Sequence, residues 1–510
     1  MLMRTVFGSR GFERSQKRFS MNQTITTFVL IAGAVLAALA TTFGMAGAVH
    51  VTSRRAQGYF HLVFYAIILA VVMTTVLADR DLAVIALSLA ESPVTPRHPL
   101  LTIVQPLLSL LILTVAGERI LTHWLRRDKT VRTPHFLLFM FVVFWIGTVA
   151  APALLGAHPQ FSHEFVYPAV IAAAAVLASG VERDRAIAAT RNALFLFMLA
   201  GLALIFFQPS KVLDASYIYG FLPGVPRFAG LAPHAVAMGL LTQLALLCLL
   251  TMPFRRVWLN RLAWIVGLSV LVLAQSKTAW IAFALCSCCV LVLRDGPGLW
   301  RRISDPLHPE FGMVVISAFV LALLAAAALL IFGGIDEKVS SFFASAQGAQ
   351  LTSLTGRDQI WAIAYDEWQR NPVFGYGPGL WDASFRASIG MPYATHGHNQ
   401  FMDTLARSGA VGATALVLFA ATLLAMSVWH ARATGGLSLA LFIALALRGV
   451  AEVPLLLFGY GPELLTLVLL LMVLASAPAR TSVRVSRSAF TPPIGRGRQR
   501  DQHLTTRSQS

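Results

Sequence analysis

The stretch "HGHNQFMDTLARSGAVG", residues 396–412, sets two imidazoles, His396 and His398, directly before an apolar run. An imidazole titrates near neutrality, so either ring can take a proton from a hydroxyl at the edge of that run. Residues two apart share one side of an extended segment, and Asn399 follows, placed to orient a ring or bind a hydroxyl. Three further groups carry charge beside apolar segments. "PRFAGLAPHAVAMG" brings Arg227 and His234, and the tight turn "AQSKTAW" brings Lys277 within Ser276-Lys277-Thr278. Arg448 and Glu452 lie four apart at the end of another apolar segment, a spacing that suits a supporting ion pair on a helix. Taken singly, these are also the residues of interface anchors and structural pairs. Charge at membrane depth costs about 2.5–3.5 kcal/mol per group on insertion scales, so four groups on one face need a reason. Guanidinium and ammonium groups match phosphate oxygens. A histidine beside them describes a transferase that uses a lipid-linked phosphate or diphosphate.

The elements that must hold these residues are membrane helices. Of 510 residues 57% are hydrophobic and 12% charged, with mean hydropathy +0.70. That is half the charge of soluble domains, about 25%. Apolar runs long enough to cross a bilayer, roughly 17–25 residues, recur along the chain. They cover 24–48, 58–78, 99–116, 136–156, 166–182, 190–207, 235–253, 258–275, 278–294, 312–333, 409–429, 435–450 and 462–477. Counting 82–92 as membrane-embedded puts both termini on one side. The expectation is an all-α, polytopic transmembrane bundle of about 12–14 spans, because a β-barrel needs short alternating segments instead. The basic residues Arg4, Arg10, Arg14, Lys17 and Arg18 precede the first run, which reads as a retained signal anchor. Cys248, Cys286, Cys288 and Cys289 all fall inside apolar runs and read as small packing residues.

Orientation follows from lysine and arginine. The connections "ERILTHWLRRDKTVR", "ERDRAIAATR", "FRRVWLNR" and "RDGPGLWRR" are basic, as are the N-terminal 1–23 and the tail 480–510, so these are expected in the cytoplasm. The net charge of +17 follows this topology rather than a folded basic domain, which argues against nucleic acid as a partner. The organisation expected is a membrane bundle over 24–333, a large outer loop over 334–408, membrane helices over 409–479, and a disordered basic tail. In the loop, "TGRDQIWAIAYDEWQR" places Ile360, Trp361, Ala364, Tyr365 and Trp368 in one stripe of an amphipathic helix suited to the headgroup level, with Thr355 as N-cap. "NPVFGYGPGLW" ends it, and Gly375, Gly377 and Gly379 permit a sharp turn or close approach to a ligand. Trp361, Trp368, Tyr376 and Trp381 suit sugar stacking or the lipid interface. A transporter would instead show polar residues in mid-helix and internal repeats, and a scaffold would leave the histidine–arginine constellation without a role.

With these residues in hand, the chain resembles the O-antigen ligase and polymerase superfamily. His398-Asn399, nine residues, then Gly409-Ala-Val-Gly412 follows that family's loop signature, and Arg227-Phe-Ala-Gly-Leu231 its companion pattern. "TGRDQIWAIAYDEWQRNPVFGYGPG" looks like the stretch before the histidine in the family. The chain departs at Val236, where asparagine is frequent, at Lys277, where arginine is, and at Arg407, where glutamate is. The resemblance implies a glycosyltransferase of the bacterial inner membrane with its site facing the periplasm. Its donor would be an undecaprenyl-diphosphate-linked glycan. Its acceptor would be a growing polysaccharide, lipid A core or a protein, with other polysaccharide-assembly proteins as partners. It further implies inversion at the anomeric carbon without metal or other cofactor. His398 would be the base, with His396 as the alternative. Arg227, Lys277 and Arg357 would hold the diphosphate, helped by His234 and Asn399.

Overall fold

The computed structural model describes part of 33–50, then residues 58–332 and 357–487, except 78, 79, 81, 83–97, 126–133, 216–221, 223, 392 and 393. The N-terminal arm, nearly all of 82–92, Thr355 and the tail beyond 487 lie outside the described residues. The chain is all-α. Five helices are long and apolar enough to cross a membrane: Leu101–Leu125 (α2), His135–Leu155 (α3), Gly180–Phe207 (α5), Lys277–Ile303 (α8) and Gln400–Trp429 (α12). Seven shorter apolar segments accompany them among the described residues. They belong to Leu62–Leu77 (α1), Val166–Val176 (α4), Ala235–Thr251 (α6), Val257–Leu273 (α7), Pro309–Phe332 (α9), Leu437–Ala451 (α13) and Leu464–Arg487 (α14). Arg357–Arg370 (α10) and Ala383–Ser388 (α11) form the described part of the large loop. The only pairing of strands among the described residues is a two-residue antiparallel contact, Leu213 to Phe228 and Asp214 to Arg227.

The core sits where helices apolar all round must sit, at the centre. In α14 every residue from Leu467 to Leu474 is buried, and in α6 every residue from Ala237 to Leu249. Phe144 of α3 stacks on Phe419 of α12 at 4.7 Å between ring centroids. Large apolar side chains such as Phe206 and Trp429 point outward, as a lipid surround requires.

Two expectations change, and the reading of the cysteines holds. The basic stretches placed in loops are largely helical. "ERDRAIAATR" lies within α5, because Ser179 and Glu182 form a capping box that starts the helix ahead of it. Glu118 and Arg119 lie within α2, and Arg119 pairs with Glu182 at 3.0 Å. "RDGPGLWRR" extends α8, and α14 carries the expected disordered tail as helix to Arg487. The stripe of α10 faces the loop's own core: Ile360 and Ala364 pack with Leu380, Trp381, Phe385 and Ala406. The cysteines are free, and the Cys286 thiol bonds the Ala440 carbonyl oxygen at 3.0 Å, a packing role.

Helix α12 breaks at Gly409, whose φ of 62° and ψ of −161° lie outside the range of other residues. The break frees backbone groups that need partners. The glycine-rich segment supplies them. Ala406 and Arg407 carbonyls accept from Tyr376 and Gly377 at 2.8 and 2.9 Å, while the Ala410 and Val411 amides donate to Pro372 and Val373 at 2.8 and 3.2 Å. On its other side the segment accepts from Ala157 and His158 at 3.0 and 2.7 Å. At Gly375 and Gly377 the close approach is therefore to the chain's own backbone. Opposite the break, α3 contains one π-helical turn, Ile146–Ala150, whose Thr148 carbonyl accepts the Ser408 hydroxyl at 3.0 Å.

A Cβ on residue 409 would lie 2.4 Å from the Val373 carbonyl. Gly409→Ala is expected to lower the unfolding temperature and yield in detergent, since backbone strain alone costs about 1–3 kcal/mol. Gly180→Ala, where a Cβ meets nothing within 4 Å, is the control and should leave both unchanged. Wild-type melting of Gly409→Ala would refute the bracing role of this crossing.

Candidate functional site

The histidine turn is built around Gly397. Its N–H donates to Asp403 Oδ1 at 2.8 Å, and its carbonyl accepts from Trp361 Nε1 at 2.8 Å. The same Asp403 oxygen takes Trp381 Nε1 at 2.9 Å, and the other takes Arg407 Nε at 2.7 Å. Arg407 also donates to the Pro378 carbonyl at 2.7 Å. Clamped on both sides, Gly397 sets the two flanking histidines. His398 is held at φ 47°, and Trp381 at φ 72°. Positive φ is uncommon outside glycine and costs of order 1–3 kcal/mol where the surroundings impose it.

The two rings lie 4.2 Å apart, centroid to centroid, but their nitrogens differ. His396 is fully engaged. Its Nδ1 accepts from the His398 N–H at 3.1 Å, and its Nε2 faces Glu452 Oε2 at 3.1 Å, so the proton belongs on Nε2. His398 Nδ1 is buried with no hydrogen-bond partner. Burial, followed by the His396 and Arg357 charges and against the pull of Glu452 and Asp403, brings the His398 pKa down to about 4. The ring is therefore neutral at physiological pH, with a lone pair to offer. Burial raises the Glu452 carboxyl, but the His396 hydrogen bond and the neighbouring histidine charges bring it below the usual range.

A cavity of about 240 Å³ opens beside His396 and Glu452, lined by His234, His396, Arg448, Glu452 and Glu463 among others, while His398 sits behind the His396 ring and does not line it. His234 caps α6, accepting from the Ala237 N–H at 3.2 Å through Nδ1. That bond leaves the proton of the neutral ring on Nε2. The expected Arg448–Glu452 pair does not form. Helix α13 ends at Ala451, and Glu452 has extended backbone, φ −145° and ψ −176°, so helical spacing stops short of it. Glu452 instead meets His396, while Arg448 reaches Glu463 at 3.6 Å.

The remaining expected residues divide. Arg357 opens α10, close enough to act on His398. Arg227 is buried and donates to the Ala274 carbonyl at 3.3 Å, which brings it to the turn where Lys277 opens α8. Neither Arg227 nor Lys277 lines the histidine cavity. Asn399 is the N-cap of α12. Its oxygen accepts from Phe401 and Met402 at 3.0 and 3.1 Å, and its amide reaches the Val450 carbonyl. It does not meet either ring. The aromatic residues expected to stack sugars mostly brace the loop: Trp368 Nε1 donates to the Pro372 carbonyl, and Tyr376 lies 4.2 Å from His158.

Asp403, Glu463 and Arg80 were not singled out by residue type and spacing. Arg80 donates to the carbonyls of Lys211, Gly230 and Ala232, holding the segment that carries Arg227 and His234. The ligand atoms of His396, His398 and Glu452 lie within 4.8 Å of one another, the one group with metal-ligand spacing among the described residues.

Asp403→Ala would strand Arg407 beside a buried site and release both Gly397 and Trp381. Removing one partner of a buried pair costs about 3–5 kcal/mol. The variant is expected to unfold at lower temperature and to expose the 396–398 turn to proteolysis; an unchanged digestion pattern would contradict the clamp.

Comparison with known proteins follows this geometry. Residues 262–417 match the family model described as O-antigen ligase. No curated protein matches the chain. The matched stretch contains Lys277, Arg357, His396, His398 and Asp403, while Arg227, His234, Arg448 and Glu452 lie outside it. Residues 262–417 thus resemble an O-antigen ligase domain, which supports the likeness of this chain to the O-antigen ligase and polymerase superfamily.

Proposed function

We propose that this protein transfers a glycan from an undecaprenyl-diphosphate carrier to a sugar hydroxyl at the periplasmic face of the bacterial inner membrane, as a polysaccharide polymerase. The observation that carries this reading is the unpartnered, neutral nitrogen of His398 beside a cavity lined by Arg448 and His234. A second cavity, about 860 Å³, runs between α1 and α2 and shares Gly459 and Gly461 with the histidine cavity. Its wall of Ala70, Val71, Leu101 and Pro106 suits the polyprenyl tail of a donor arriving from the bilayer.

In this reading His398 accepts the proton of the acceptor hydroxyl. The oxygen forms its bond to the anomeric carbon from the side opposite the diphosphate. The carbon–oxygen bond to the diphosphate breaks, its electron pair stays with the phosphate, and configuration inverts. Arg448 and the Nε2–H of His234 meet the developing charge, with Arg357 beside the base and Arg227 and Lys277 along the approach. The His396–Glu452 pair fixes the neighbouring ring and offsets positive charge. A metal on His398 would occupy the lone pair that the proton needs, so the imidazole acts bare.

Deleting the gene and complementing with His398→Ala or Arg227→Ala tests the assignment. Short single-repeat glycan is expected with either variant. Carrier-linked long chains that fail to reach lipid A core indicate a ligase, and loss of glycan from a protein indicates an O-oligosaccharyltransferase. Wild-type glycan with both variants present at normal levels overturns the reading.

The acid limb of kcat/KM reports the free enzyme's base. A folded-state pKa lowered to about 4 keeps His398 unprotonated well below the ordinary 6.5. Rates measured from pH 4 to 8 in reconstituted vesicles should therefore hold down to about pH 5 and fall by about half near pH 4. A limb centred near 6.5 would exclude His398 in this environment.

A further inference from the structure

A third cavity, about 320 Å³, lies on the loop side of the histidine cavity and shares Thr395, Leu456 and Phe458 with it. It has the size of a small-ligand pocket, which begins near about 300 Å³. One wall is aromatic, from Phe165 and Trp381, and another is polar, from Gln160 and Asp382. Gly379 makes room between the polar groups: a Cβ there would lie 2.7 Å from Gln160 Oε1 and 3.5 Å from Asp382 Oδ2. Asp382 Oδ1 is committed to the Phe385 N–H and the Ser384 hydroxyl, both at 2.7 Å.

The charge of this pocket separates it from its neighbour. Arg407, the cation in its lining, is tied to Asp403 and to the Pro378 carbonyl. A diphosphate would meet acceptor oxygens and a neutralised guanidinium here, whereas Arg448 and His234 offer it donors next door. A neutral sugar fits: its C–H face needs an apolar ring, and its hydroxyls need oxygen acceptors.

We infer that this pocket seats the terminal sugar of the acceptor glycan and presents its hydroxyl past Thr395 to the histidines. This rests on the transferase reading above and adds where the second substrate lies. Two sources share the chemistry, a carrier-linked glycan and the core sugars of lipid A.

The test uses the full chain in liposomes, with carrier-linked glycan from a transferase-deficient strain as donor. One arm supplies the same carrier-linked glycan as acceptor, the other lipid A core. Gly379→Leu fills the pocket, and Gln160→Ala removes an acceptor from an exposed side chain. Acceptor KM should rise by about tenfold with Gly379→Leu, equivalent to about 1.4 kcal/mol, while donor KM and unfolding temperature stay unchanged. The arm in which it rises names the source. Should Gly379→Leu misfold, a rise in acceptor KM with Gln160→Ala supports the pocket and an unchanged value overturns it. A rise in donor KM alone, or no rise in either arm, overturns it too. His398→Ala separates the two ideas: if it abolishes transfer while the pocket variants leave acceptor KM unchanged, the pocket fails and the transferase reading stands. Absent transfer by the wild type removes both.

Discussion

The Asp403 carboxylate accepts three hydrogen bonds at once, from the Gly397 amide, the Trp381 indole and the Arg407 guanidinium, while itself only 1% exposed. A buried carboxylate is tolerated when its oxygens are satisfied in this way. Two strained residues depend on it. Trp381 is bound to it directly, and His398 follows a glycine whose amide it holds. The orphan nitrogen of His398 is thus imposed by packing one turn away, and the strain at the turn is offset by hydrogen bonds that a relaxed turn would forfeit.

The broken helix makes that arrangement rigid. Asp403 and Arg407 stand on the first half of α12, before Gly409, and the membrane-embedded half follows it. A straight helix would leave no open backbone for the 372–377 segment to bind, and the loop would have no fixed seat on the bundle. The π-turn of α3 meets α12 at the same level, through Ser408 and through a close approach of Gly147 to Ala415, where a Cβ would lie 2.6 Å away. Irregular backbone at this depth is stable because each freed group has a partner in another element. The consequence is that the large loop and α12 are joined through backbone hydrogen bonds into one packed unit.

Much of this was legible in the chain. Apolar runs of fixed length show helices, but the run expected from 409 begins earlier, at Gln400, because Asn399 caps a polar first turn that hydrophobicity does not show. Other features had no local signal. Asp403 and Arg407 have the spacing of an exposed i, i+4 pair, and only burial against Gly397 and Trp381 gives them their role. Glu452 was paired by helical spacing with Arg448, yet the helix ends one residue earlier. The basic stretches read as loops because charge marks the membrane boundary, but a helix can cross that boundary when its charges pair or reach water. The tryptophans read as ligand surfaces, yet Trp361, Trp368 and Trp381 each place the indole N–H on the protein itself.

In the proposed reading, charge balance lets this site receive an anion. Arg448 lies 3.6 Å from Glu463, longer than a good charge-assisted bond, and its Nε is buried without a partner. Glu463 is the more exposed of the two, with 37% of its side chain open against 11% for Arg448. In the proposed reading a diphosphate oxygen takes the place of this solvated, loosely held carboxylate, while the 3.1 Å His396–Glu452 contact stays in place. One cation is held in readiness and the other pair holds the frame. That difference in pairing, rather than the number of charges, is what distinguishes a binding group from a bracing group in this cavity.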